Sequence, residues 1–250
     1  MRLGILGGGR AAWAYGTAWR RIGWPLAGVW LRPESASRLP ELLETRRCTL
    51  DQLAAESELL LVAVSDRALD AVLPRIPPGE TIVFHASGAL PAPAGGFSLH
   101  PLKALPPVGE PSDLLDTLLV FEGEHPKTAK LIAVAIGARL AEVTAEQKPL
   151  YHAAAVFGSN YVAAVLDISA ELMRRAGIGQ VRGDLVSLAE SAIRNWAAHE
   201  DRDRFTGPAV RGDRETLTRH AAAIGDDAQV AEIYKLLADW ITAGSLATPK

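Results

Sequence analysis

The chain has 250 residues, enough for one large domain or two modest ones, and its 48% apolar and 22% charged residues are typical of a globular protein. A net charge of -3 excludes bulk attraction to nucleic acid or to an anionic membrane, so neither partner is expected. The single Cys48 excludes an internal disulfide and a cysteine-based zinc site, and no metal site is predicted. The N-terminal apolar run is too short for a signal peptide, and no segment approaches the roughly 18 uncharged apolar residues of a membrane span. We therefore expect a soluble, cytoplasmic protein.

Short apolar runs alternate with helical segments in the first half of the chain. The first run ends at a glycine turn, and a helix is predicted directly after it. A further helix is predicted with Thr49 as its cap, and a helix and then a strand within 125–144. Strands are predicted over 2–6, 26–31, 58–65, 80–87, 96–102 and 118–124. This alternation predicts a parallel sheet with helices on both faces, interrupted by a Pro/Gly-rich loop region within 88–111.

The pattern becomes wholly helical after Thr144, which with Gln147 fits a capping box. A third helix in this part should have Asp213 as its N-cap, because aspartate is among the best residues for that position. The predicted helices span 146–175, 185–199, 214–224 and 227–243. We therefore predict a Rossmann-type α/β domain over residues 1–143, followed by an all-α C-terminal domain over residues 144–250.

The glycine turn predicts a dinucleotide-binding site. Gly7, Gly9 and Ala12 match G-x-G-x-x-A between a predicted strand and a predicted helix. In such a loop the first glycine makes a tight turn, the second lets the backbone approach a pyrophosphate, and the small third residue lets the helix pack on its strand.

The end of the second predicted strand favours NADP over NAD. NAD sites place an acid here for the ribose 2′-hydroxyl, whereas Arg32 stands at this position, with Ser35 nearby. A guanidinium suits a phosphate dianion, so Arg32, and Arg10 with it, are expected to bind the 2′-phosphate. Glu34 is the one contrary signal. Ser65 and Asp66, after the strand over 58–65, are expected to line the same cofactor.

Polar side chains recur along the first long predicted helix. Lys148, His152 and Ser159 fall within about 40° of one another at 100° per residue, with Asn160 at the edge of the stripe. A solvated Lys148 and a core His152 are the alternative. On the next helix Asn195 shares a face with Leu188, so a buried amide is expected there, bonded to backbone or facing a polar cavity.

Four segments appear in an order that resembles a bacterial family joining a Rossmann-like domain to a DUF2520 helical domain. They are HASG (85–88), SLHPL (98–102), KPLYHAAAVFGSNY (148–161) and FTGPAVRGD (205–213). This family is similar to the 6-phosphogluconate-dehydrogenase-like group, and the resemblance implies a C-terminal domain like that of the group. It also implies NADP binding, a substrate cleft between the domains and a homodimer built through the helical domain.

In that wider group, a lysine and an asparagine on the first long helix of the second domain face the nicotinamide. The resemblance therefore implies that Lys148 is a proton donor, although Asn160 lies three turns away rather than one and His152 occupies the intervening position. Whether Lys148 or His152 is the acid stays open, with Ser159 and Asn160 orienting the substrate.

Several further residues are candidate ligands of the same cleft. His85 and His100 follow strands that end at the crevice, and we assign His85 to the cofactor and His100 to the substrate, with structural roles as the alternative. Arg211 suits a substrate carboxylate or a partner subunit, and Asn195 is placed on the substrate side. The resulting hypothesis is NADPH-dependent reduction of a C=O bond in a small substrate, such as the 2-oxo acid ketopantoate. The alternatives are an imine reductase and a non-catalytic NADP-binding protein.

Overall fold

A computed structural model describes residues 1–200 and 202–243 and contains a seven-stranded sheet. The strands are β1 (Leu3–Leu6), β2 (Leu26–Trp30), β3 (Leu59–Val62), β4 (Ile82–His85), β5 (Phe97–Pro101), β6 (Leu118–Gly123) and β7 (Arg139–Glu142). They are ordered β2-β1-β3-β4-β5-β6-β7. All the predicted strands are present, and the Rossmann-type sheet is confirmed.

One strand pair departs from the predicted parallel sheet. β5 and β6 are antiparallel, with Ser98 opposite Glu122 and His100 opposite Val120, while the other neighbouring strands are parallel. The chain between these two strands contains no helix. A parallel connection requires a crossover, usually helical, so the chain instead returns beside the strand it has just left.

Helices cover both faces of this sheet, as predicted. They are α1 (Arg10–Arg21), α2 (Leu39–Leu42), α3 (Leu50–Glu56), α4 (Asp66–Val72), α5 (Pro126–Ile136) and α6 (Lys148–Phe157). Tyr15 and Trp19 of α1 pack against Phe84, which stacks on Phe97 at 4.8 Å between ring centroids. Leu60 and Val62, which alternate along β3 with residues of the first cluster, belong to a second core cluster that also contains Leu69 of α4. The period-two alternation of side chains therefore builds one core on each face.

The C-terminal part of the chain is helical. It contains α7 (Asn160–Arg175), α8 (Arg182–Ala198), α9 (Pro208–Arg211), α10 (Arg214–Ile224) and α11 (Ala228–Thr242). The internal contacts divide the chain into a first unit, Met1–Ser159, and a second unit that begins at Asn160. The domain boundary expected between residues 143 and 144 stays a prediction. It differs from this division by α6 and its capping turn, which the division assigns to the first unit.

The single helix predicted over 146–175 is wrong. α6 ends at Phe157 and α7 begins at Asn160, with a turn at Gly158 and Ser159. The Ser159 hydroxyl donates to the Ala155 carbonyl at 2.7 Å, a local bond that competes with regular helix geometry. By length and composition alone, 148–175 could cross a membrane. The turn divides it into helices of 10 and 16 residues, each shorter than the roughly 20 residues that a spanning helix needs.

The predicted helix caps are confirmed. Thr49 and Gln52 form a reciprocal capping box at the start of α3. Thr144 and Gln147 exchange the same two bonds, at 3.0 and 3.3 Å, in the turn before α6. The Asp213 side chain accepts from the Thr216 backbone N–H at 3.0 Å and caps α10.

Candidate functional site

The carboxyl ends of β1, β3, β4 and β5 meet at one edge of the sheet, because these strands run parallel. The glycine turn follows β1, Ser65 and Asp66 follow β3, and Gly88 lies three residues beyond β4. His100 is near the carboxyl end of β5. Ligands of open α/β sheets bind at this edge, so the structure brings the predicted Gly7, Gly9, Ser65, Asp66 and His100 to a common position, with Gly88 beside them.

The glycine turn has the geometry that its sequence predicts. Gly7 has a φ of 117°, and a Cβ there would lie 2.3 Å from the Ala63 carbonyl oxygen. Gly9 precedes α1 as its N-cap without a side-chain bond, and a Cβ at Gly9 would have only that same oxygen, 4.0 Å away, as a neighbour within 4 Å. Ala12 is fully buried against the sheet. The first N–H groups of α1 therefore lack a side-chain cap and are available to an anion.

The surroundings of this turn contain exposed arginines. Arg32, after β2, has a side chain that is 74% exposed, and its Nε lies 3.4 Å from Glu34 Oε1. Arg47 supports the backbone here by donating to the Arg32 carbonyl at 2.5 Å. Arg10 donates a long bond of 3.4 Å to the Leu105 carbonyl. The guanidinium predicted to bind phosphate is thus accessible, and within the described part of the chain its ionic partner is Glu34, the contrary signal.

A buried ion pair lies beneath α6. Lys148 is 2% exposed, and its Nζ donates to Ser98 Oγ and, at 3.1 Å, to Glu122 Oε2. The same carboxylate oxygen accepts from the Ala92 N–H at 2.7 Å and from the Ser98 hydroxyl at 3.3 Å. Burial lowers the pKa of Lys148, while the hydrogen bond and charge of Glu122 act to raise it. The ammonium predicted to face a cleft is enclosed by protein.

Sequence reasoning missed Ser98 and Glu122 as site residues. The signal was a single carboxylate within the apolar run LLVFEG of β6. Its meaning depends on the antiparallel register, which places Glu122 directly opposite Ser98. Because the strand was predicted without its partner or direction, this pairing could not be derived from the pattern.

A second polar cluster contains His100, Tyr151 and His152. His100 Nδ1 lies 2.5 Å from the Tyr151 hydroxyl, and the His100 and His152 rings are 5.8 Å apart between centroids. All three side chains are half-buried, in contrast with Lys148. Burial raises the pKa of Tyr151 to about 12. Burial, followed by the charges of His152 and Lys148, lowers the pKa of His100 to about 4, and the Asp66 carboxylate opposes this shift.

His85 has the surroundings of a structural histidine. Its Nε2 lies 2.8 Å from the Pro91 carbonyl, and its Nδ1 accepts from the Ser87 N–H at 3.2 Å. Burial is the main cause of its lowered pKa. Both ring nitrogens thus hold the chain that leaves β4, which is the alternative considered above, and the contact with a cofactor stays a prediction.

Two domain families match the sequence, one over each part of the chain. Residues 1–103 match the Rossmann-like domain, and residues 118–241 match DUF2520, a domain of unknown function. The chain is a Rossmann–DUF2520 protein. No protein of curated function matches the sequence of this Rossmann–DUF2520 protein.

Solved structures share its fold. A candidate NADP oxidoreductase of Bacteroides fragilis has a TM-score of 0.83 and 22% identity, with 97% of this chain and 98% of that chain covered. Protein TM1727 of Thermotoga maritima has a TM-score of 0.75 and 20% identity, over 96% and 97% of the two chains. A reductive aminase of Aspergillus terreus, in complex with NADPH4, cyclohexanone and allyl amine, has a TM-score of 0.68 and 17% identity, over 95% and 92%. At these identities the likeness establishes the fold.

In the second unit of the Rossmann–DUF2520 protein, the expected burial of one site candidate is wrong. Asn195 on α8 is exposed rather than buried, as are its neighbours Leu188 at 61% and Trp196 at 63%. The apolar face of α8 was expected to be covered, but among the described residues only Leu185 of this helix is buried. Arg211 is exposed at the end of α9. Ser159 lies in the turn between α6 and α7 and Asn160 begins α7, so they do not continue one stripe with Lys148 and His152.

Proposed function

We propose that this Rossmann–DUF2520 protein is an NADPH-dependent oxidoreductase that reduces the C=O bond of a small substrate. One observation carries the proposal: the uncapped start of α1 opens at the same sheet edge as the half-buried cluster of His100, Tyr151 and His152. A reductase of this class needs a place for a dinucleotide and, beside it, a protein group that donates a proton. The likeness to a candidate NADP oxidoreductase supports the cofactor assignment.

The residues around the glycine turn fit a dinucleotide. Gly7 and Gly9 keep side chains away from the start of α1, and Ala12 lets that helix pack closely, so backbone N–H groups would bind the pyrophosphate. Arg32, with Arg10, would bind the 2′-phosphate. Ser65, Asp66 and His85 would line the ribose and nicotinamide side. When bound, NADPH would supply the hydride.

The proposed preference for NADPH can be tested by binding. We expect NADPH to bind at least about tenfold more tightly than NADH, and Arg32→Ala to weaken NADPH binding by about 10- to 100-fold while NADH binding stays unchanged. Calorimetric titration of both nucleotides measures this. Arg139→Ala, an exposed arginine on β7, is the matched control. Equal affinities of the unmodified protein for the two nucleotides would contradict the preference.

The two polar clusters suggest different contributions to a reduction. Lys148 is paired with Glu122 and enclosed, so in this arrangement it holds α6 on the sheet. His152 is half-buried and remains a candidate acid. Ser159, Asn160, Asn195 and Arg211 remain proposed substrate ligands.

Turnover distinguishes an enzyme from a non-catalytic binding protein. We expect substrate-dependent, saturable oxidation of NADPH by at least one small 2-oxo acid, with ketopantoate among those tested. If the protein binds NADPH but oxidises it with no carbonyl or imine substrate, the alternative of a non-catalytic NADP-binding protein holds.

Reduction of a C=N bond is the second candidate. It is favoured by the likeness to a reductive aminase over 95% of this chain. The two reactions separate when a carbonyl compound is supplied alone or together with an amine. NADPH oxidation that requires the amine and yields a secondary amine would identify an imine substrate.

We further propose that the protein is a cytosolic homodimer assembled through its helical part. Leu188, Ile193 and Trp196 on α8 are each more than half exposed, and apolar side chains exposed along one helix favour contact with a partner subunit. Light scattering is expected to give twice the mass of one chain, and Trp196→Glu to give a monomer. The cytosolic location rests on the single buried Cys48, which fits a reducing compartment.

A further inference from the structure

His100 has one ring nitrogen committed to protein and one available. Nδ1 lies 2.5 Å from the Tyr151 hydroxyl, and the two rings meet edge to face at 73° with 5.7 Å between centroids. Nε2 has no hydrogen-bond partner among the residues the structure describes, and it is not one of their buried, unpaired side-chain atoms. The imidazole is therefore held from one side, and its second nitrogen can reach a ligand.

The bond to Tyr151 fixes which nitrogen carries the proton. An imidazole nitrogen is a stronger acceptor than a phenol oxygen, so the Tyr151 hydroxyl donates and Nδ1 accepts. The single proton of a neutral imidazole then resides on Nε2. The charged and titratable groups around this ring are Lys148 and His152 on α6, Tyr151 beside them and Asp66 at the start of α4. Their combined effect with burial is the pKa of about 4, so the ring is neutral near pH 7.

Gly88 allows this nitrogen to reach the sheet edge. A Cβ at Gly88 would lie 3.0 Å from His100 Nε2 and 2.6 Å from His152 Cδ2. The contact with His152 is shorter than real Cβ contacts and the contact with His100 is tighter than most, so any other residue would require the His152 ring to shift and the His100 ring to yield by a few tenths of an ångström. Gly88 thus lets the chain after β4 pass directly beside Nε2, at the edge where ligands of such sheets bind.

We infer that the Nε2–H of His100, positioned by Tyr151 and admitted by Gly88, is the hydrogen-bond donor and proton source for the substrate oxygen. This assignment rests on the proposed carbonyl reduction. A fixed donor aimed at the oxygen stabilises the negative charge that develops there. A neutral imidazole can act in this way where its pKa is held low.

The proposed reduction moves one hydride and two protons. The substrate carbon accepts the hydride of NADPH, which is oxidised to NADP⁺, and the C=O π pair moves to oxygen. That oxygen takes the Nε2 proton, while the Tyr151 hydroxyl proton passes to Nδ1, so the products are an alcohol, a neutral His100 and a tyrosinate. Solvent then supplies a proton to Nε2 while the Nδ1 proton returns to the tyrosinate, whose pKa of about 12 strongly favours the phenol, so the Nε2–H form is restored.

The chain contains a matched control for this pair. In the second unit, His220 Nδ1 lies 2.7 Å from the Tyr234 hydroxyl, with the rings at 77° and 5.9 Å apart. His220 is exposed, and neither residue has a place in the proposed site. The same substitutions can therefore be made in two pairs of nearly equal geometry.

The test compares His100→Phe and Tyr151→Phe with His220→Phe and Tyr234→Phe, using NADPH and the 2-oxo acid that the unmodified protein reduces. We expect His100→Phe to lower kcat about 100-fold or more and Tyr151→Phe about tenfold, with NADPH affinity unchanged. His100→Gln, which restores an N–H donor, should recover part of the loss. The two control variants should retain kcat within about twofold. A His100→Phe variant that keeps kcat within about threefold of the unmodified protein would overturn the assignment.

Two measurements keep this inference separate from the proposed function. We expect kcat to be independent of pH between about 5 and 9, whereas a donor that titrates near neutrality would make kcat fall as pH rises, and would overturn the inference. If no carbonyl compound is reduced, the proposed function is wrong, and His100 then has no role as a proton donor. Nitrogen-15 NMR then still decides the arrangement: a neutral Nε2–H ring at pH 7 supports it, and an Nδ1–H or doubly protonated ring refutes it.

Discussion

The two units of this protein contain the same pairs of side chains in different surroundings. His100 with Tyr151 and His220 with Tyr234 agree within 0.2 Å in their hydrogen bonds, at 2.5 and 2.7 Å. Only the first pair is packed between a sheet and a helix, where burial raises the tyrosine pKa to about 12 and lowers the histidine pKa to about 4. Pair geometry alone therefore does not identify a functional histidine, because the surroundings decide its protonation.

The ion pairs of the two units also differ in their surroundings. Lys235 and Asp239 on α11 are 2.6 Å apart, closer than Lys148 and Glu122 at 3.1 Å. Yet the Lys235 side chain is 74% exposed, whereas Lys148 is 2% exposed. Exposed pairs contribute little because water solvates each partner, while removing one partner of a buried pair leaves an uncompensated charge.

The largest expected effect comes from breaking the buried ion pair. Lys148→Met should lower the free energy of unfolding by about 3–5 kcal/mol, because Glu122 is left buried without its cation. Lys235→Met should change it by less than about 0.5 kcal/mol. Urea unfolding measures both. Adding Glu122→Gln to Lys148→Met should recover part of the lost stability. Equal losses in Lys148→Met and Lys235→Met would contradict the expected difference between buried and exposed ion pairs.

A smaller effect on the free energy of unfolding is expected when His100, in the pair with Tyr151, is protonated. The folded-state pKa of His100, about 4, lies below the ordinary value near 6.5, so the unfolded chain binds the proton first as pH falls. The stabilisation is complete above about pH 6.5 and is lost progressively towards pH 4, by up to about 3 kcal/mol. Urea unfolding across this range should show the loss in the unmodified protein and a weaker one in His100→Gln. His220→Gln removes an imidazole from the exposed pair and is the control; an acid slope that responds equally to both substitutions would contradict the comparison.

Crowding of the two imidazoles should give the smallest effect. Gly88→Ala places a Cβ against His152 and His100, and overpacking of this kind costs about 1–3 kcal/mol. In contrast, a Cβ at Gly183 on α8 meets nothing within 4 Å, so Gly183→Ala should stabilise by up to about 1 kcal/mol. Thermal unfolding measures both. If Gly88→Ala leaves the stability and the His100 NMR signals unchanged, the loop after β4 adapts to the added methyl group and the expectation is wrong.

Local patterns predicted much of the fold. Alternating apolar runs located every strand, and short-range capping signals at Thr49, Thr144 and Asp213 located helix starts, because each of these signals is contained within a few residues. The same local chemistry predicted the turn geometry at Gly7 and Gly9 and the burial of Ala12, while their contact with a cofactor stays a prediction. The helix break was missed, since the Ser159 back-bond to Ala155 is one of two states that a small polar residue can adopt in a helical pattern.

The candidate site was predicted less completely, because its contacts are long-range. His152 and Lys148 were singled out from helical spacing, but the enclosure of Lys148 depends on a partner 26 residues away on β6. Tyr151 was not singled out, although its partner His100 was. The burial expected for Asn195 came from an amphipathic pattern, which marks a surface that needs a partner and does not say whether this chain provides it.

The turn at Gly158 and Ser159 has a consequence for how such a protein could diversify. The glycine turn, the buried ion pair and the His100–Tyr151 pair all precede it, within the one compact unit that ends at Ser159. The helices after it could therefore be exchanged or reshaped by recombination at a single short junction, while the residues proposed to donate the proton are inherited intact. Lineages sharing the first unit would then be free to vary in what they recognise.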